Sequence, residues 1–458
     1  MDLEEARKLV MKYESVMTAA AAHTETAYRY YAGQNDIKFR RTRVDCGEEG
    51  KSLLRRADNR IAFNFHALLV DQKASYLFTA PPVFDLGSDE ANQKVRAALG
   101  NAYGKKVKNL CVDASNAGVS WVHYWKDDHG NFQWMPIPAV QIYPIFTDDL
   151  QADLSAVMRC YKTLDDDGKE WKVYEFWNDE ETAVYKKRDE IFLPFDRFSA
   201  ILDGVTTPTN VYRHGLGAVP FVPFFNNSQS RSDLDRIKDL IDAYDKTFSG
   251  FVDDLEDIQE VILVLTNYGG TDTKHFLDDL KYYKTIQVDS TGDGDRSGVS
   301  TLTIDIPVEA RDKLLELTRK AIFDMGQGVD PQQQSFDRTS GEAMKFMYSL
   351  LELKAGLMET EFRLGLDTLI RAICRLSGIT EPDNILQTWT RTAIRNDSEL
   401  ADMCSKAVGV LSTKTILKNH PFVDDPEAEE KELRKEKEAS AAELEEYKNS
   451  FGKPPVQK

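Results

Sequence analysis

The sequence predicts an α+β protein, with its strands gathered in one block and helices on either side. Three observations carry this. Residues 118–225 hold short apolar runs of period two separated by turn-forming clusters, the pattern of antiparallel strands. The residues before 118 and most of those after 306 read as helices. Between them, Leu234, Ile237, Ile241, Tyr244, Phe248, Phe251, Leu255 and Ile258 follow one another at alternating steps of three and four. That is a heptad seam, and it needs a partner along its length.

Residues 2–32 form an amphipathic helix rich in Ala and Glu that ends near Gly33. The next stretch is basic and aromatic, with Tyr28, Tyr30, Tyr31, Arg40, Arg41 and Arg43. A surface loop that packs aromatics under a helix end is the favoured reading, and a nucleic-acid patch the alternative. Residues 34–59 are a polar connection. Residues 59–78 read as one buried helix stopped by Pro81 and Pro82, and 91–115 as another. Six strand signals follow: SWVHYW, FQWMPI, QIYPIF, SAVMRCYKT, WKVYEFW and TAVYKKR, with turns at Asp127–Gly130, Asp165–Gly168 and Asn178–Glu180. GLGAVPFVPFFNN closes the block.

The seam helix spans 231–260, with Ser232 as N-cap and Asp235 supplying the carboxylate three residues on. It carries ten acidic residues against four basic ones. Residues 261–306 read as a small α/β insertion: strand VILVLTNY, a helical piece at His275–Tyr283, strand TIQVD and strand STLTIDI. Pro307 opens the helix 307–325 from the first-turn position that proline favours. A polar loop, 326–340, leads to a long helix, 341–375. Its apolar face holds Met344, Met347, Leu350, Leu351, Leu357, Met358, Phe362, Leu366, Leu369 and Ile373. Gly356 and Gly365 inside it predict a bend or a close helix contact. A short strand, 386–390, precedes a helical remainder, with starts at Asn396 and at Asp425-Pro426. Residues 424–448 again carry eleven acidic against five basic.

The whole chain has 458 residues, 41% of them hydrophobic and 29% charged, with a net charge of −18. The two acidic helices carry most of that charge. It argues against a protein whose main task is gripping nucleic acid, though not against one that lets nucleic acid slide past. Cys46, Cys111, Cys160, Cys374 and Cys404 are scattered without a CxxC pair, which reads as reduced thiols. The N-terminal stretch has no apolar signal core. The most apolar run, 61–78, contains His66, Asp71 and Lys73, so no membrane span is expected. P-loop, HExxH and GxSxG motifs are absent. His123 and His129 flank a turn and are expected to be packing or surface residues rather than a zinc site. The loop Asp289–Asp295 resembles the start of an EF-hand but has Ser300 at the twelfth position. No cofactor is expected, and a structural or assembly role is favoured over an enzyme.

Six segments in this order carry a family resemblance: YYAGQNDI (30–37), NRIAFNFHALLVDQKASYLF (59–78), HGLGAVPFVPFFNN (214–227), SDLDRIKDLIDAYDKTFSGFVDD (232–254), SGEAMKFMYSLLELKAGLMETEF (340–362) and VLSTKTILKNHPFVDDPEAE (410–429). Together they resemble the portal, or head–tail connector, proteins of long-tailed bacteriophages of Gram-positive hosts. The resemblance implies a ring, dodecameric in the virion, at one capsid vertex, with double-stranded DNA passing through its axis. It implies a wing at 1–230 that also takes in 341–395, a stem at 231–260 and 307–325, a clip at 261–306, a tunnel loop at 326–340 and a helical crown at 396–458. Expected partners are the terminase large subunit, a head-completion or adaptor protein, and the major capsid and scaffolding proteins.

On this reading the tunnel loop presents Gln327, Gln332, Gln333, Gln334, Ser335 and Arg338 to DNA, with Gly326, Gly328 and Gly341 as flexible ends. Arg319 and Lys320 are candidate phosphate contacts, weighed evenly against ordinary charge compensation at a helix C-terminus. The acidic helix faces either line the channel, where they would repel DNA, or are solvated outside. Two other classes compete: a metal-dependent nuclease using Asp253, Asp254 and Asp257, which lacks a supporting Lys or His cluster, and a capsid scaffold, against which the strand block stands.

Overall fold

Asp2 and Glu5 start the first helix by a reciprocal cap. The Glu5 N–H donates to the Asp2 carboxylate (2.8 Å) and the Asp2 N–H to the Glu5 carboxylate (3.1 Å). Helix α1 (Leu3–Tyr31) follows. The computed structural model describes residues 1–40, 57–150, 153–202, 205–257, 262–266, 298–302, 307–332, 341–391, 397–420, 422–423 and 426–451. It contains two compact units, Met1–Asp330 with Leu350–Thr390, and Pro331–Ser349 with Arg391–Lys458.

The expected helix 59–78 is shorter: α2 spans Phe65–Leu77, and it ends before the two prolines act. Residues 59–63 stay out of the helix because the N–H groups of Asn59, Ile61 and Phe63 are taken elsewhere, as described below. The expected helix 91–115 is two helices. Strand β1 (Val83–Asp85) is followed by α3 (Asp89–Leu99) and α4 (Tyr103–Ala117), broken at Gly100, whose φ of +76° ends the first.

The six expected strands form where their sequence patterns lie, and four short strands between Ile191 and Arg213 have no sequence signal. Strands β2 (Val119–Lys126) and β3 (Phe132–Ile137) form a hairpin, followed by β4 (Ile142–Phe146), β5 (Leu154–Leu164), β6 (Glu170–Trp177), β7 (Glu181–Arg188) and β8 (Ile191–Pro194). Three short strands, β9 (Phe198–Leu202), β10 (Val205–Thr209) and β11 (Val211–Arg213), lead to β12 (Phe221–Phe225). All pairings are antiparallel. Six strands make one sheet in the order β11-β7-β6-β5-β4, with β8 also on β7, and β12-β2-β3 make a second. Helix α1 covers one face of the larger sheet: Ala6 and Val10 pack on Met158, Tyr174, Phe176, Ala183 and Tyr185. On the opposite face Val157 and Trp177 meet Trp121 and Phe221 of the smaller sheet. His123 is a packing residue, its ring against Trp125, Trp177 and Phe221, with Nδ1 on the Pro220 carbonyl.

The seam helix opens with a 3-10 turn, Leu234–Arg236, and its α-helical part, α5, is Lys238–Asp257. The expected capping box does not form. The Ser232 hydroxyl donates to the Ser115 carbonyl (3.3 Å) and accepts from the Leu234 N–H (3.2 Å), and Asp235 pairs with His23 (3.0 Å). Strands β13 (Ile262–Thr266) and β14 (Gly298–Leu302) pair with each other; the helix expected at 275–283, the TIQVD strand and the 289–295 loop lie outside the described residues.

Pro307 stands one residue before α6 (Val308–Gly326). Helix α7 (Gly341–Leu376) is the spine of the main core. Met358, Phe362, Leu366, Leu369, Ile370 and Ile373 are fully buried against α4 and β12, whereas Leu357, assigned to the same face, is exposed. Gly365 does mark a close contact, but with a strand: a Cβ there would sit 2.7 Å from the Phe224 ring and 2.9 Å from the Pro223 carbonyl oxygen. Gly356 faces open space. Strand β15 (Leu386–Thr388) pairs with β1. In the second unit, α8 (Asp397–Lys406), α9 (Thr413–Asn419) and α10 (Pro426–Phe451) follow, with Ser412 capping α9 and Pro426 the first residue of α10. Asn396 and Asp425 lie outside the described residues.

Candidate functional site

The apolar seam of α5 has three partner helices rather than one. Leu234, Ile237, Ile241 and Tyr244 are buried among Ala27 and Tyr30 of α1, Phe65 and Leu69 of α2, and Ile322 and Phe323 of α6. Phe248 sits edge-on to Phe63 (4.9 Å), and the Arg311 guanidinium stacks over Phe251 (5.4 Å). Leu255 is 48% exposed, so the seam is buried only along its first half. Ile258 lies outside the described residues.

The acidic face of α5 is largely engaged inside the chain. Asp245, Ser249 and Asp253, one turn apart, accept the N–H groups of Phe63 (2.9 Å), Ile61 (3.0 Å) and Asn59 (2.6 Å). Two residues of extended chain advance about 6.6 Å and four residues of helix about 6 Å, so the two registers match. This ladder is why residues 59–63 do not join α2. The Asn59 side chain also reaches Asp253 and Glu256. Asp242 accepts from the Tyr30 hydroxyl and pairs with Lys238, and Asp254 pairs with Arg311. Asp253 and Asp254, the candidate nuclease ligands, are therefore occupied by the fold, and the Asp257 side chain lies outside the described residues. Among the described residues no group of His, Cys, Asp and Glu is arranged to hold a metal ion, and no helix is long and apolar enough to cross a membrane.

Burial pushes the Asp245 carboxyl up to about 6, against the Asn35 and Phe63 donors that pull it down. An unfolded aspartate sits near about 3.9. The folded chain binds this proton more tightly, so the stability the group contributes is complete below about pH 4 and is lost as the pH rises through its folded value. Asp245→Asn cannot ionise. Its melting temperature relative to the native chain should therefore rise between about pH 5 and about pH 7.5. Parallel melting curves for the two proteins would show that Asp245 ionises as freely when folded as when unfolded.

The end of α6 meets a buried charge cluster. The Asp233 carboxylate lies 2.7 Å from the Lys73 ammonium of α2 and 3.0 Å from the Lys354 ammonium of α7. Asn226 joins them, donating to Asp233 (2.9 Å) and accepting from Lys73 (2.7 Å). Lys354 also donates to the Gly326 carbonyl (2.8 Å), the last of α6. Burial raises the Asp233 carboxyl, but Lys354, Lys73 and Asn226 outweigh it and hold it below the usual carboxylate range. Burial lowers the Lys354 ammonium more than Asp233 restores it. His66, two turns before Lys73, is pushed down to about 4 by burial and bonds Asn116 (2.8 Å). The sequence did carry a signal for this cluster: Lys73 and Lys354 fall at core spacing inside apolar helix stripes, between Leu69 and Leu77 and between Leu351 and Met358. Nothing local in the sequence marks Asp233 as their partner.

The expected loop residues divide. Gln327 caps α6 in the left-handed region (φ +54°) and accepts from Arg236 (3.2 Å). Gln332 and Lys320 are exposed, while Gln333, Gln334, Ser335 and Arg338 lie outside the described residues. The Arg319 guanidinium grips Asp330 with two bonds (2.9 and 2.8 Å) and stacks over Phe65 and Phe323, which leaves it holding the fold rather than reaching for phosphate. Gly326 and Gly328 are not flexible ends. A Cβ on either would fall 2.6 and 2.1 Å from Leu69, so glycine is needed there for close approach.

The family model "Phage portal protein, SPP1 Gp6-like" matches residues 12–443. The chain is 40% identical over 457 residues to a portal protein of Clostridium phage phiCD119, covering 96% of this chain and 99% of that one. It is 32% identical over 413 residues to the portal protein of Bacillus phage SPP1, covering 88% and 81%. The chain thus belongs to the SPP1-like family of phage portal proteins, which are structural components of the virion rather than enzymes.

Proposed function

We propose that this chain assembles into a closed ring at one capsid vertex and conducts double-stranded DNA through its axis during packaging and ejection. One observation supports the ring most directly. Leu353, Leu357 and Leu364 on α7, Leu314 and Leu317 on α6 and Leu255 on α5 are 48–65% exposed, although the same helices bury other residues completely, Ile241 of α5, Ile322 of α6 and Phe362 of α7 among them. Leucines at steps of three, four and seven on three long helices make surface that a second copy would cover.

In this reading the portal fold comprises a wing (1–230 and 341–395), a stem of α5 and α6, a clip (261–306), a tunnel loop (326–340) and a crown (396–458). The clip would meet the terminase large subunit and then a head-completion or adaptor protein, and the wing the major capsid and scaffolding proteins. Gln332, Gln333, Gln334, Ser335 and Arg338 would face the DNA, with Lys320 as a nearby phosphate contact.

Electron microscopy of the purified protein tests the ring. Rings with a central hole wide enough for duplex DNA are expected, and a sample of monomers alone would refute assembly. Deleting residues 332–336 should leave the rings intact and lower the yield of DNA-filled particles. A normal yield would remove that segment from the channel.

A further inference from the structure

Five consecutive residues at the exit of α6 are held one after another, by α2, α7, the 3-10 turn and α6 itself. The Gly326 carbonyl accepts from Lys354 (2.8 Å) and the Gln327 side chain from Arg236 (3.2 Å). The Gly328 N–H returns to the Phe323 carbonyl (3.0 Å), with its Cα pressed on Leu69. Val329, buried, is clamped by one side chain: its N–H donates to Gln72 Oε1 (3.0 Å) and its carbonyl accepts from Gln72 Nε2 (2.7 Å). Asp330 is gripped by Arg319. An ordinary helix end needs one left-handed residue and one or two backbone bonds, and this one already has both. The additional side chains come from α2, α7, the 3-10 turn and α6 itself, and the Gln72 amide copies the paired bonds of a β-ladder, which only Asn or Gln can do with both atoms.

We propose that Gln72 and Lys354 are positioning residues that fix the exit of α6 as a rigid abutment on α2 and α7. A load on the chain beyond Asp330 is then borne by those two helices instead of unwinding the last turn of α6. This rests on the channel reading above, because the load is that of passing DNA.

Gln72→Leu removes both clamp bonds at nearly constant volume. Lys354→Met removes the bond to Gly326 and leaves Asp233 with Lys73 as a balanced pair, so it should fold. At a net value near 1 kcal/mol per bond, hydrogen exchange at Val329 should quicken by about tenfold or more in Gln72→Leu. Exchange over residues 327–330 should also quicken in Lys354→Met, with ring formation unchanged in both. Phage carrying either variant should give several-fold fewer DNA-filled particles than native phage. Unchanged exchange in both variants would overturn the abutment. So would faster exchange with an undiminished yield of filled particles. Failure of the native chain to support filled particles would instead refute the channel reading, and the exchange arm does not depend on it.

Discussion

Asp233→Ala should destabilise the chain by about 3–5 kcal/mol, the cost of breaking a buried ion pair from one side. Asp233 is the carboxylate between two buried ammoniums, Lys73 at 2.7 Å and Lys354 at 3.0 Å. Its removal leaves two like charges facing each other out of water, and leaves Asn226 without an acceptor for one of its N–H bonds. With total stabilities near 5–15 kcal/mol, that loss removes a large share of what holds the chain folded. Lys354→Met should cost far less, because a one-to-one pair remains. Denaturant unfolding at one fixed protein concentration measures both, since assembly adds to apparent stability. The Asp233 carboxyl is held low, so its contribution is present above about pH 4 and fades as the pH falls through the folded value. The gap between native and Asp233→Ala should therefore narrow in acid. A loss below about 1 kcal/mol at neutral pH would mean that water or a neutral lysine relieves the cluster.

The sequence disclosed the strands better than the helices around them. Period-two alternation and Asp-Asp-Gly turns depend on neighbours in the chain, and every strand from SWVHYW to TAVYKKR lies where its pattern puts it. The errors came where distant residues decide. Asn59–Asn64 has helical composition, yet Asp245, Ser249 and Asp253 take its N–H groups from about 190 residues away. The expected helix 91–115 runs through Gly100, whose positive φ divides it in two. The acidity of α5 was legible as a charge count, but its use was not. A carboxylate that accepts backbone N–H groups from another segment looks the same in sequence as one that faces water or DNA. Likewise the glycines at 326 and 328 suggested a hinge, and only the proximity of Leu69 shows that they are there for contact. On the proposed reading no catalytic motif is expected, because a conduit needs shape and repetition rather than a reactive side chain.

The seam of α5 supplies the other large effect, and it separates folding from assembly. Ile241 is fully buried among Tyr30, Phe65, Leu69 and Phe323. Ile241→Asp removes that packing and places a carboxylate in an apolar cluster, one residue before Asp242 and one turn before Asp245. The combined loss should reach about 4 kcal/mol or more, from the lost side chain and the desolvated charge together. Circular dichroism should show most of the chain unfolded, or the protein should not be soluble. Leu255→Asp makes the same chemical change two turns further than Phe248, on a side chain already 48% exposed. Its cost to the single subunit should stay within about 0.5 kcal/mol. If Leu255 is covered by a neighbouring copy, that variant should remain folded yet fail to form rings by native mass spectrometry. A folded, soluble Ile241→Asp would mean that the cluster joining α1, α2, α5 and α6 opens to water. Normal rings from Leu255→Asp would place the outer half of the seam away from every subunit contact, and the exposed leucines of α6 and α7 would then have to carry assembly without it.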